Sequence, residues 1–176
     1  MGYSAVAYFF AKKLHAELGI PIGIIKTAWG GKPVEAFTSR KALNTLPATQ
    51  KLVKAAIQKD SSYDLSRAQA FYEKQLSKWK QATAEWRVKP AKDRGRSPRK
   101  PSLAKRALDT ESQPGVLFNS MIHPFAGYTM QGAIWYQGEA NAKEGKVPYD
   151  LTLPLMIRDW RAHWNDAFAF NSVQLA

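Results

Sequence analysis

Two polar stretches that contain glycine carry the residues best suited to chemistry. One is Gly30-Gly31, and the other runs from Gly138 to Asn141. Backbone N–H groups at a glycine turn can point at an anion, and an asparagine amide can donate a hydrogen bond to the same ligand. Such donors are components of an oxyanion hole, which stabilises the negative oxygen of a tetrahedral intermediate in acyl transfer. The alternative interpretation of each stretch is an ordinary tight turn.

Each stretch follows an apolar segment that predicts a buried β-strand. Residues 20–28 are apolar without alternation, residues 133–137 are suited to a buried strand, and residues 168–176 form a third strand-like, apolar segment. Strands separated by helices predict an α/β protein with a mostly parallel sheet covered on both sides. Ligands bind beyond the carboxyl ends of such strands, so both polar stretches are expected at one edge of the sheet.

The helices that would cover this sheet are also visible in the pattern. A helix is predicted from Ser4 to Leu18, a second begins at Pro33, a short one lies within 115–125, and a fourth begins at Pro148. In the first, apolar residues at fourfold spacing predict a buried face. That face consists of Val6, Phe10, Leu14 and Leu18, with Phe9 beside them.

Residues 45–112 read as a helical and basic insertion into a single domain over residues 1–176. Helical patterns over 46–57 and 63–86 predict a hairpin, with turn and N-cap chemistry at Asp60-Ser61-Ser62. Apolar residues recur every seven positions along the second helix, which is typical of a packing seam rather than a ligand site. The repeating residues are Leu65, Tyr72, Trp79 and Trp86.

The positive charge is concentrated in one segment. The chain carries a formal charge of +12. Residues 87–106 contribute +8 of it and contain three prolines, which predicts an exposed loop. The alternative is a binding patch for nucleic acid or acidic polysaccharide. Because no aromatic residue is interleaved with these charges after Trp86, nucleic acid is the less expected partner.

Several classes of function find no support in the sequence. There is no cysteine, so disulfides, thiolate metal sites and cysteine nucleophiles are excluded. No His, Asp and Glu cluster predicts a metal site. No apolar run reaches the roughly 20 residues of a membrane helix, and no export signal is recognised.

Four blocks of the sequence resemble the sialate O-acetylesterase family, which belongs to the SGNH hydrolases and is similar to the carbohydrate acetylesterases. The blocks occur in family order and cover most of the chain outside residues 45–112. They are PIGIIKTAWGGKPVEAFTS (21–39), LFNSMIHPF (117–125), AIWYQGEANA (133–142) and LMIRDWRAHW (155–164).

The resemblance implies a three-layer αβα, flavodoxin-like fold that removes acetyl groups from hydroxyls of sialic acid or related sugars without a cofactor. It matches Gly30 or Gly31, together with Asn141, to the oxyanion hole. The family's serine nucleophile lies in a GQSN-type motif and its histidine base in an Asp-x-x-His motif. Neither motif occurs in this sequence. The chain is therefore expected to be the middle portion of the catalytic domain, without nucleophile or base and close to inactive alone.

The remaining polar residues of these blocks have two interpretations each. Trp29, Gln137 and Gly138 are candidates for site support or substrate contact. Glu139 would either bind substrate or, as we favour, accept backbone N–H bonds within its loop. His123 is interpreted as structural or substrate-flanking rather than as a relocated base.

Other histidines and serines give no substitute triad. His15 and His163 fall at the boundaries of apolar helix faces, and Ser39 and Ser120 lack the strand-to-turn setting of a nucleophile.

Two functions of other classes stay open. The chain would be a noncatalytic carbohydrate-binding protein if only sugar-facing loops are retained, or an interaction module if the basic segment binds acidic partners. Exposed strand edges also predict self-association. The family implies a periplasmic, secreted or lysosomal location for the parent enzyme.

Overall fold

The computed structural model describes residues 3–144 and 147–174 and begins with helix α1, Ala5–Leu18, as predicted. The Ser4 side chain accepts a hydrogen bond from the Ala7 N–H at 3.3 Å and caps its start. Gly19, at φ +66°, ends it by donating to the carbonyl oxygen of His15 at 2.9 Å. Within the described chain this helix buries Ala7 and Ala11, whereas most of the predicted apolar face, including Val6, is exposed.

The predicted strand over residues 20–28 is wrong. The segment has no regular secondary structure, and Ile20 and Ile25 are exposed. A strand exists only where a neighbouring strand accepts and donates its backbone hydrogen bonds, and an apolar run does not supply that neighbour. The two strands of the described sheet pair with each other instead.

That sheet consists of β1, Gly132–Trp135, and β2, Ala169–Ser172, in parallel. The register places Gly132 opposite Ala169, and a Cβ atom at Gly132 would lie 2.7 Å from the Ala169 carbonyl oxygen, so a glycine is needed there. Both strands are shorter than predicted, and Leu175 and Ala176 of the third predicted strand lie outside the described residues. The class is α/β, with more helix than strand.

In the described part of the chain, two helices lie between β1 and β2, and parallel strands require such a long connection. They are α5, Glu139–Glu144, and α6, Tyr149–Trp164, the latter confirming the helix predicted at Pro148. The Trp160 indole of α6 packs edge-to-face on Trp135 of β1 at a centroid distance of 5.7 Å. These rings belong to the main hydrophobic core, whose other buried members are Val34, Ala36, Phe37, Leu117, Phe118, Ile122, Met156 and Phe168.

The prediction of a helix that begins at Pro33 is wrong. Pro33 instead precedes a single 3-10 turn, Val34–Phe37, all four residues of which are buried. The turn stops because Thr38 is extended, at φ −109° and ψ 138°. A separate short helix, α2, spans Arg40–Leu43 with Ser39 as its N-cap.

The short helix predicted within residues 115–125 is confirmed. It consists of a π-helical turn over Phe118–Ile122 followed by a 3-10 turn over His123–Phe125.

The chain divides into two compact units. One comprises residues up to Val53 and from Glu111 onward, and contains the sheet and the core described above. The other, Lys54–Thr110, lies within the range predicted as an insertion. No helix in the described part of the chain has the length and apolarity to span a membrane.

The predicted helical hairpin is present as α3, Pro47–Ser61, and α4, Leu65–Val88. The cap was predicted wrongly. Asp64 caps α4 by accepting from the Arg67 N–H at 3.0 Å, whereas Asp60 is buried and pairs with Arg106. The ion pair between the buried Asp60 and the exposed Arg106 is a long-range contact that local turn chemistry does not reveal.

Candidate active site

Side chains that follow β1 hold the two polar loops together. Asn141 Oδ1 accepts from the Val34 N–H at 3.0 Å and from Gln137 Nε2 at 2.8 Å. Gln137 Nε2 also donates to the Lys32 carbonyl oxygen at 3.0 Å. Because Lys32 and Val34 come directly after Gly31, these bonds place the loop at 30–34 beside the loop at 137–141.

The same bonds fix the orientation of the Asn141 amide. Since Oδ1 accepts from Val34 and Gln137, the nitrogen faces Glu35 and donates to its Oε2 at 3.0 Å. Both residues are buried, with 7% of Asn141 and 5% of Glu35 exposed. An amide nitrogen carries two hydrogens, and the bond to Glu35 uses one, so the second can donate to a ligand.

Tyr149 fixes Gln137 in turn. The Trp135 indole N–H donates to the Tyr149 hydroxyl oxygen at 3.0 Å, which directs the hydroxyl hydrogen towards Gln137. The hydroxyl oxygen lies 2.9 Å from Gln137 Oε1 and 3.0 Å from the Gln137 carbonyl oxygen. Burial raises the pKa of Tyr149, and the negative charges of Glu139 and Glu35 raise it further, against the opposing effect of the Trp135 bond. The hydroxyl therefore stays protonated and donates.

A cavity of about 650 Å³ lies at the carboxyl ends of β1 and β2. Tyr149, Gln137 and Asn141 line it together with apolar side chains such as Trp135, Leu153 and Val173. A mostly apolar cavity with a few convergent polar groups is the usual form of a small-molecule site. Gly30 and Gly31 do not line this cavity.

The glycine turn itself is exposed. Gly31 has φ +69°, a left-handed conformation that glycine adopts more easily than any residue with a side chain. Gly30 does not have a positive φ, so its backbone does not require glycine. No atom lies within 4 Å of a Cβ built at either position. Because one 3-10 turn follows instead of a helix, a helix dipole adds little to the N–H groups of this turn.

The other predicted site residues take different positions. Trp29 is exposed, and Gly138 is buried with its carbonyl oxygen accepting from the Ala142 N–H at 2.9 Å. Glu139 is exposed at the first position of α5. The hydrogen bonds described for its loop come from the side chains of Gln137 and Asn141, and the role of the Glu139 carboxylate stays a prediction.

His123 lies in a different cluster. Its exposed ring is 5.8 Å from the Phe118 ring and 5.9 Å from the His163 ring, centroid to centroid. None of the contacts described for His123 joins it to Asn141.

One group has the residue types of a catalytic triad, but in the wrong order. It consists of Ser39, Asp159 and His163. Ser39 Oγ donates to Asp159 Oδ1 at 2.7 Å, and His163 Nδ1 lies 3.3 Å from the same oxygen. In a triad the histidine stands between serine and carboxylate, and here the carboxylate does. Ser39 is buried and caps α2, so this group is structural.

Sequence reasoning missed Glu35 and Tyr149. The spacing of four residues between Gln137 and Asn141 is a local sign that their side chains lie close together. Glu35 is separated from Asn141 by 106 residues, and no pattern in the sequence pairs them. Among the described residues there is no group of three or more metal-binding side chains.

Comparison with known proteins gives a relationship over nearly the whole chain. Human sialate O-acetylesterase is 26% identical over 181 residues, which covers 98% of this chain. The rat and mouse proteins of the same name are 27% and 28% identical, again over 98% of this chain. Over nearly its whole length the chain is similar to the sialate O-acetylesterases. No protein-family model matches it.

The chain spans only part of these sialate O-acetylesterases. The aligned region is 25% of the human protein and 29% of the rat and mouse proteins. The relationship confirms the resemblance that the four blocks predict, and it includes both loops joined by Gln137 and Asn141.

Proposed function

We propose that the chain forms part of the oxyanion-binding side of a carbohydrate O-acetylesterase that removes acetyl groups from sugars such as sialic acid. The observation that carries the proposal is the pair of hydrogen bonds from Gln137 and Val34 to Asn141 Oδ1. These bonds hold an amide donor in one orientation beside a glycine turn. The names of the related proteins support the substrate class.

In this proposal, the acetyl carbonyl oxygen becomes negative when a serine attacks it. The second N–H of Asn141 and a backbone N–H of Gly30 or Gly31 then donate to this oxygen. Donors fixed before the reaction need no reorganisation when the charge develops, which is why such groups lower the barrier. Glu35 keeps the Asn141 amide from rotating, because its carboxylate accepts one of the two amide hydrogens.

The nucleophile and the base belong, in this proposal, to sequence other than these 176 residues. Among the described residues, Ser39 donates to Asp159, and Ser120 donates to the Val116 carbonyl oxygen at 2.9 Å, so neither is paired with a histidine. β1 and β2 would be two strands of an SGNH-type three-layer sheet that such sequence completes.

An NMR titration tests the donor arrangement directly. Methylphosphonate is a suitable probe because its methyl group and tetrahedral anionic oxygens resemble the intermediate. Addition to ¹⁵N-labelled protein is expected to shift the Asn141 side-chain amide and the N–H of Gly30 or Gly31 together, with one saturation curve. The exposed Asn119 side-chain amide is the internal control and should not move. Shifts of the glycines alone, or none at Asn141, would contradict the proposal.

A chromogenic acetyl ester tests where the nucleophile lies. The purified chain is expected to hydrolyse it no faster than Asn141→Ala, because without serine and histidine the oxyanion donors give little acceleration. Sustained turnover well above that variant would show that the chain contains its own nucleophile.

A further inference from the structure

The basic segment, residues 87–106, is held against α4 by its backbone. The Trp86 indole N–H donates to the Gly95 carbonyl oxygen at 2.9 Å, and that of Trp79 donates to the Pro98 carbonyl oxygen at 3.0 Å. Further along the segment, the Tyr63 hydroxyl donates to the Ala104 carbonyl oxygen at 2.8 Å. Trp79 and Trp86, two of the four residues of the heptad stripe of α4, therefore hold the basic segment.

Three cations of the segment are used in holding it. The Arg94 guanidinium lies 5.3 Å from the Trp86 ring centroid, and Lys100 Nζ lies 5.8 Å from that of Trp79. Arg106 forms an ion pair with the buried carboxylate of Asp60. These contacts fix the path of the segment, so a ligand that binds along it orders less chain on binding.

Five other cations are exposed and make no described side-chain contact with the rest of the structure. These cations repel one another, but the contacts described above hold the segment in place. Residues 54–110 as a whole carry a net charge of +9. This group, which we call the basic strip, consists of Arg87, Lys89, Lys92, Arg96 and Arg99.

The aromatic contacts distinguish between two kinds of polyanion. Single-stranded nucleic acid binds where aromatic rings are free to stack with bases. The rings of Trp79 and Trp86 are instead half-buried and carry Lys100 and Arg94 over them. The strip therefore offers charge without a surface on which unpaired bases could stack, which disfavours single-stranded nucleic acid.

We propose that the basic strip binds acidic polysaccharide chains through their carboxylate and sulfate groups. This inference does not depend on the esterase function, because the strip lies in the unit Lys54–Thr110 and uses none of the oxyanion donors.

Binding of a heparin octasaccharide to the whole chain tests the proposal. Affinity is expected to fall about tenfold or more between 50 and 200 mM salt, as for ligands held by several charges. Replacing all five strip cations with glutamine is expected to weaken binding at least tenfold. The matched control neutralises five exposed lysines on α3 and α4 of the same unit and should change affinity less than about twofold. These are Lys54, Lys59, Lys74, Lys78 and Lys80.

Each other result would overturn the proposal. Equal losses in the two variants would mean that only net charge attracts the ligand. Tighter binding of a 20-nucleotide oligo(dT) than of the octasaccharide would indicate a nucleic-acid surface. No binding of the octasaccharide at 50 mM salt would show that the strip is simply solvated. Circular dichroism of both variants checks that the helices remain.

Discussion

Asn141 Nδ2 donates a hydrogen bond to Glu35 Oε2 at 3.0 Å, across 106 residues of sequence. Asn141 Oδ1 also accepts from the N–H of Val34, the residue before Glu35. The two bonds together hold the two polar loops against each other. They also determine which way the amide donors face. The geometry of the candidate site therefore depends on a buried carboxylate in a 3-10 turn as much as on the asparagine itself.

Replacing Glu35 tests this dependence. Glu35→Ala is expected to lower the free energy of unfolding by about 1 to 3 kcal/mol, because it leaves the buried Asn141 N–H without an acceptor. Glu35→Gln retains an oxygen that can accept and should cost less. Urea unfolding followed by tryptophan fluorescence measures both. Equal stability of Glu35→Ala and the unmodified chain would show that the contact carries no net energy.

Tyr149→Phe should weaken the support of Gln137. Loss of the hydroxyl removes the acceptor of the Trp135 indole N–H and the donor to Gln137 Oε1, at an expected cost of about 1 to 3 kcal/mol. The same urea titration, with the side-chain amide signal of Gln137 as a second readout, measures the change. If the Gln137 signal did not shift, the Tyr149 hydroxyl would not be the group that holds the Gln137 side chain.

Tyr149 also makes stability depend on alkaline pH. Its pKa is raised from 10.0 in the folded protein, so above pH 10 the unfolded chain loses the proton before the folded one does. The contribution of this group is complete below pH 10 and is lost as pH rises through the folded pKa. Stability measured from pH 9 to 11 should therefore fall more steeply for the unmodified chain than for Tyr149→Phe. Parallel profiles would contradict the shift.

The two glycines of the exposed turn should respond differently to alanine. Gly31→Ala is expected to lose about 1 to 2 kcal/mol, because φ +69° is unfavourable for a residue with a side chain. Gly30→Ala should stay within about 0.5 kcal/mol, since its Cβ would meet open space. Thermal or urea unfolding compares them. A larger loss at Gly30 would mean that the turn is held by contacts other than its backbone angles.

Replacing Asp159 should lower the stability of the protein more than replacing an exposed polar residue. The Asp159 carboxylate accepts from the Ser39 N–H and from Ser39 Oγ, both at 2.7 Å. Asp159→Ala is expected to cost about 3 kcal/mol, because a buried N–H loses a charged acceptor. The control Asp166→Ala removes an exposed carboxylate and should stay within about 0.5 kcal/mol. Similar values for both variants in urea would show that the buried contact is dispensable.

The sequence by itself determined the local elements that carry their own signals. Ser4 and Gly19 mark the ends of α1 because capping is settled between residues that are neighbours in the chain. The helix α6 was predicted from Pro148 and the residues that follow it, and the blocks around Gly31 and Asn141 were sufficient to indicate the related family.

Only the tertiary structure decided what these elements do together. The apolar residues 20–28 do not form a strand here, because a strand needs a partner and the sequence pattern cannot supply one. Glu35 and Tyr149 entered the candidate site because folding brought them to Asn141 and Gln137 from distant positions. Hydrogen bonds within a turn depend on local spacing, whereas the direction of a buried amide depends on every donor and acceptor that packing places around it.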